Sequence, residues 1–124
     1  MQEVVGAVVI KNGKILLTLS DNGVFTPPGG KKERGESDQK CLERELYEEL
    51  GVGIKFGNFF TKFVTETPTS KKRVKVSCYF VELLAKPVPH NEILKIKWTR
   101  RPERLKLSAG TQTLIAQLQN AKRF

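Results

Sequence analysis

The sequence predicts an α/β domain. Aliphatic and β-branched strand runs lie on both sides of one capped helix, and a second amphipathic helix closes the chain. At 124 residues the chain has the size of one domain, taken as residues 1–124, and is long enough to bury a real core. Its hydrophobic residues, 39% of the total, fall in short periodic runs, the pattern of a folded chain and not of a disordered one.

The elements follow in order. Val4 to Ile10 and Ile15 to Ser20 are predicted to form a strand pair across "KNGK", where Asn12-Gly13 suits a type I′ hairpin turn. "DNG" and "PPGG" read as loops, with Val24 to Thr26 a short extended piece between them. Ser37 can cap a helix, Asp38 favours its first turn, and Gly51 is a natural stop after Leu50, so a helix is predicted from Asp38 to Leu50. Lys55 to Thr65 and Val74 to Leu84 read as two strands joined across "ETPTSKKR", and Leu94 to Trp98 as a shorter one. Ser108 can cap a last helix, whose Leu114, Ile115 and Leu118 recur on one face. No internal repeat, low-complexity tract or domain linker interrupts this order.

Several classes are excluded at this level. No apolar run approaches the ~20 residues needed to span a bilayer, and the N-terminus lacks the charged-apolar-small order of a signal peptide. A cytoplasmic protein with no membrane partner is expected. Cys41 and Cys78 belong to no C-x-x-C pair and are expected to be reduced, buried thiols.

The formal charge of +9 conceals an asymmetry. Residues 33 to 49 hold seven of the thirteen acids with three bases, leaving six acids against nineteen bases elsewhere. On a helical wheel Leu42, Leu46 and Leu50 form the stripe that docks on a sheet, with Glu45 and Glu49 beside it and Glu48 flanking them. Carboxylates bordering a core cannot all splay into water, and such a cluster of hard oxygens suits magnesium or manganese. The upstream glycines of "PPGG" let the backbone approach a phosphate or present a carbonyl to the metal.

Gly30, Glu36 and the run Arg44-Glu45-Leu46-Tyr47-Glu48-Glu49-Leu50-Gly51-Val52 resemble the signature of the Nudix (MutT-like) hydrolases, with no mismatch at its fixed positions. The box spans about a fifth of the chain, and the flanking strands and closing helix are similar to that family's mixed β-sheet sandwiched between helices (α/β/α). The resemblance implies a hydrolase of nucleoside diphosphates linked to a further group. It implies Glu45, Glu48 and Glu49 as metal-binding carboxylates, one of them polarising the attacking water, and the carbonyl of Gly29 as a further ligand. Arg44 resembles the family arginine that holds a box glutamate, with Glu36 in support, and Glu92 stands where many relatives carry another glutamate.

Expected substrate contacts are Gly30, Phe25 and the basic loop Lys71, Lys72 and Arg73. Trp98 resembles a tryptophan frequent in that strand and is expected to pack in the core, as is Tyr79. The expected substrate is a small-molecule nucleotide, a (deoxy)nucleoside triphosphate cleaved to monophosphate and pyrophosphate in the MutT manner, including oxidised nucleotides. ADP-ribose, an RNA 5′ end and a non-catalytic nucleotide-sensing module are the runner-up readings, and nucleic acid is not favoured as a partner. A monomer or a homodimer is expected.

Overall fold

The computed structural model describes residues 1–124. Strands β1 (Gln2–Val8), β2 (Ile10–Lys11), β3 (Lys14–Leu19), β4 (Phe25–Thr26) and β5 (Gly29–Lys31) precede helix α1 (Asp38–Leu50); β6 (Ile54–Glu66), β7 (Arg73–Leu83) and β8 (Lys95–Thr99) then lead to α2 (Ala109–Asn120). A mixed four-stranded sheet has the order β5-β1-β7-β6, with β1 parallel to β7 and the other two pairings antiparallel. In a smaller antiparallel sheet β2 and β4 pair with one edge of β3 and β8 with the other.

The main sheet lies between the helices, and β1 shows why. Val5, Ala7 and Val9 pack with Cys41, Leu42, Leu46 and Leu50 of α1, whereas Val8 packs with Leu114, Ile115 and Leu118 of α2. This is the period-two alternation of a strand buried on both faces. Both cysteines are buried and free. No helix is long and apolar enough to cross a membrane.

Helix α1 starts and stops where its caps dictate. The Ser37 hydroxyl accepts the Lys40 amide at 3.1 Å, and Gly51 takes the left-handed conformation at φ 68°. The Asn12-Gly13 turn has positive φ at both residues, as a type I′ turn requires.

Two readings need correction. The run from Val4 to Ile10 is not one hairpin arm: it breaks at Val9, so that β1 enters the main sheet and β2 pairs with β3 in the smaller one. Hydrophobic periodicity does not register a change of sheet, because both halves are equally apolar. Nor is "PPGG" all loop, since Gly29 to Lys31 pair with β1 as strand β5. A Cβ on Gly29, whose φ is 145°, would lie 2.1 Å from the Val5 carbonyl oxygen, so only glycine permits that approach.

Candidate functional site

The acidic end of α1 meets β5. Glu49 is 6% exposed, and its Oε1 accepts the Gly29 amide at 3.1 Å. Glu45 lies against Gly30, where a Cβ would come within 2.5 Å of its carboxyl carbon. Glu48, one position further round the helix, is half exposed. The three carboxylates thus stand on the border between core and solvent that the wheel predicts.

Arg44 organises this border. Its guanidinium grips Glu36 through Nε at 2.6 Å and Nη2 at 2.9 Å, reaches Glu45 at 2.8 Å and Glu48 at 3.4 Å, and donates to the Lys31 carbonyl at 3.1 Å. Glu33 lies 2.9 Å from the same Nε. The paired bond to Glu36 is the fork geometry that arginine supplies and lysine does not. It holds the Glu36 carboxyl down at about 2, with help from the Glu33 amide.

No such partner reaches Glu49. Burial pushes its carboxyl up to about 8, the Gly29 amide offsets part of that, and the charges of Glu45, Glu92 and Glu48 push it further up. Glu45 is also raised by burial, against the pull of Arg44. The donor set is entirely hard oxygen, and Glu49 is a buried carboxylate without a cation to balance it. Both features fit a divalent ion such as magnesium or manganese. In the conformation described no three of the acids converge as a formed metal cage would. Arg44 accounts for this by drawing Glu36, Glu45 and Glu48 toward itself.

Glu92 is brought to the cluster by its loop. The His90 amide donates to the Glu49 carbonyl at 2.9 Å, the Val88 amide to the Leu50 carbonyl at 3.0 Å, and Asn91 Nδ2 to the Glu48 carbonyl at 2.7 Å. These bonds satisfy carbonyls at the end of α1 that the helix itself leaves free. Asn91, at φ 54°, was not singled out from the sequence; its tolerance of left-handed backbone was the available signal.

Beside the cluster a cleft of about 170 Å³ runs between the main sheet and α2. Gly29 and Gly30 form one side, Phe63, Val76 and Leu114 its apolar wall, and Pro68 lies at the β6–β7 turn. Across that turn a second hollow is lined by Lys71, Arg73 and Lys106, and not by Lys72. Lys106 is a third cation that sequence reasoning did not connect with the loop.

Phe25 does not line the cleft. It is 9% exposed in the core with Leu114 and Leu118, while Thr26 and Pro27 after it face the cleft instead. The strand's alternation and the Phe25 backbone bonds to Lys106 and Ser108 fix that side. Tyr79 lies away from the cleft, donating its hydroxyl to Asp38, which also pairs with Lys32 at 2.9 Å. This contact fastens the start of α1 to the sheet across 41 residues of chain, a separation at which sequence spacing carries no signal. His90 is exposed, with its ring against Gly51.

Comparison with known proteins bears on the family and the fold. The chain is 44% identical over 64 residues to the CTP pyrophosphohydrolase of Escherichia coli (strain K12), a match that takes in 48% of this chain and 47% of that one, about half the relative's length. The solution structure of the E. coli ORF135 protein superposes with a TM-score of 0.79 at 29% identity, over 98% of this chain and 92% of that one. The MutT protein from Methanosarcina mazei Go1 shares the fold at a TM-score of 0.85 and 19% identity, over 99% of this chain and 96% of that one. The NUDIX domain model matches residues 1–118. With that match along nearly the whole chain, and the complete box folded at the join of α1 and β5, the protein belongs to the Nudix hydrolase family.

Proposed function

We propose that the protein is a divalent-metal-dependent pyrophosphohydrolase that cleaves a nucleoside triphosphate to the monophosphate and pyrophosphate. The observation that carries this reading is the buried Glu49 carboxylate, without a counter-cation and bonded to the glycine strand beside a cleft. Glu45, Glu48, Glu49, Glu92 and the Gly29 carbonyl would hold the ion, magnesium or manganese by donor chemistry. When bound, such an ion neutralises the diphosphate charge and lowers the pKa of water at the site.

The protein's own groups supply the remainder. Arg44 anchors Glu36 through its paired bond and holds Glu45 and Glu48 at the mouth of the site, from which they turn toward the ion when it binds. Glu45, whose carboxyl is raised by burial, is suited to take the proton of the attacking water. The Gly29–Gly30 backbone admits the phosphate chain, and Phe63, Val76 and Leu114 offer an apolar wall to a base. Lys71, Arg73 and Lys106 supply positive charge next to that cleft for outer phosphates.

The relative named a CTP pyrophosphohydrolase makes cytidine triphosphates the first substrates to test, beside oxidised purine triphosphates. Pro68 on the cleft wall makes ADP-ribose the comparator. Pyrophosphate and phosphate release should be measured across a nucleotide panel with and without magnesium. Monophosphate and pyrophosphate as first products, lost on chelation, are expected. Nucleoside diphosphate and orthophosphate as first products, or binding of every nucleotide without turnover, would overturn the reading.

A further inference from the structure

At the other end of β1 from the cleft, two adjoining hollows of about 1160 and 400 Å³ share Ile10, Val81 and Glu82. Together they form one groove that shares no lining residue with the cleft beside Gly29. Six exposed cations line it: Lys11, Lys14, Lys55, Lys86, Arg100 and Arg123. Glu82 is the lone acid on its walls.

None of the six takes part in any of the protein's ion pairs, which involve only Lys32, Lys40 and Arg44. The fold therefore does not use these charges to neutralise its own acids. Two lie close against the fold. The Arg100 guanidinium lies over the Asn12-Gly13 turn, with Nη1 2.5 Å from where a Gly13 Cβ would be, and Arg123 sits 4.2 Å above the centroid of the Phe80 ring. A cation already packed on a ring, as Arg123 is, loses less side-chain entropy on binding an anion. Trp98, the chain's only tryptophan, is partly buried against the core and forms part of the same wall.

Cations free of ion pairs, four of them in the same hollow as a partly open aromatic ring, are the chemistry that holds single-stranded nucleic acid, with phosphates on the cations and a nucleobase stacked on the ring. The geometry points to a binding groove for a single-stranded nucleic-acid segment at this end of the sheet, separate from the cleft and independent of the hydrolase reading. An acidic peptide would satisfy the charges but leave the indole without a stacking partner. Inorganic polyphosphate has the same limitation.

The test uses a fluorescein-labelled 12-nucleotide oligo(dT), followed by anisotropy and by Trp98 emission between about 50 and 300 mM salt. Each engaged cation contributes about −0.7 to the slope of log K against log salt, so six predict a slope of roughly −4. Replacing Lys11, Lys14 and Arg100 by alanine should weaken binding at least tenfold at ~50 mM salt and remove about half of that slope. Trp98 emission should be quenched on binding and restored by salt. Trp98→Phe should weaken the oligonucleotide several-fold and leave inorganic polyphosphate unaffected. Nucleotide hydrolysis should be unchanged in all these variants, so failure here leaves the hydrolase reading standing. Absence of binding at low salt, full affinity in the triple variant, or saturation without a change in Trp98 emission would overturn the proposal. So would stronger binding of polyphosphate than of oligo(dT).

Discussion

Glu49 and Gly29 are joined by a single hydrogen bond, 3.1 Å from the Gly29 amide to Glu49 Oε1, which ties the last turn of α1 to the first residue of β5. Sheet geometry and carboxylate geometry are coupled through it. A change on either side of the bond should register on the other.

The two glycines separate fold from site. Gly29→Ala would force a Cβ to 2.1 Å from the Val5 carbonyl oxygen at φ 145°, and should cost about 3 kcal/mol or more, a Tm fall of roughly 10 °C. At Gly30 the added Cβ meets the end of the Glu45 side chain at 2.5 Å, a group that can swing aside. Gly30→Ala should keep Tm within a few degrees while turnover falls at least tenfold. Thermal melts beside a turnover assay check both; equal Tm losses in the two variants would contradict this division.

The Glu49 carboxyl, raised to about 8 in the fold against 4.5 ordinarily, gives a pH signature in metal-free protein. The folded state holds its proton more tightly than the unfolded one, so the associated stability is full below about 4.5 and is lost as pH rises through about 8. Glu49→Gln cannot lose a proton there. In chelator, wild type and variant should melt together near pH 4.5, and the variant should melt higher at pH 9. A wild-type advantage that grows with pH would refute the assignment.

Much of this was legible because the determinants are local. Ser37 and Gly51 delimit α1, and the spacing of Leu42, Leu46 and Leu50 fixes the sides on which Glu45, Glu48 and Glu49 fall. The break at Val9 was not legible, since an apolar run reads alike whether it stays in one sheet or passes to a second. Strand β5 was hidden because glycine-rich sequence signals a turn, and its pairing with β1 depends on a tertiary approach. The bonds of Asn91 to Glu48 and of Tyr79 to Asp38 join positions more than forty residues apart, and Lys106 comes beside Lys71 only through the docking of α2 on β6.

Arg44→Lys tests the fork. A lysine retains the charge but cannot bond both oxygens of Glu36 while reaching Glu45. Turnover should fall roughly tenfold to a hundredfold, with a smaller change in KM and a modest loss of Tm. Wild-type kinetics in this variant would show that a point charge suffices at residue 44.

The basic hollow is tested by charge. Replacing Lys71, Lys72 and Arg73 together by alanine should raise KM for a triphosphate several-fold and flatten its salt dependence, with kcat largely kept, because exposed attraction decays over a Debye length of ~10 Å at 0.1 M ionic strength. ADP-ribose, less charged, should be affected less. Restoring Lys72 alone should recover little, since Lys71 and Arg73 line the hollow and Lys72 does not. An unchanged KM and salt slope would return the loop to a role in solubility.

The central claim is that the carboxylate cluster around Glu49 performs phosphoanhydride hydrolysis, and kcat of Glu49→Gln at saturating magnesium tests it most directly. The amide keeps the shape and can still accept the Gly29 N–H, while the charge needed to hold a divalent ion is gone. The account predicts a folded variant, melting no lower than wild type at pH 8 in chelator, with kcat reduced about a hundredfold or more. Turnover within a few-fold of wild type in such a folded variant would contradict it.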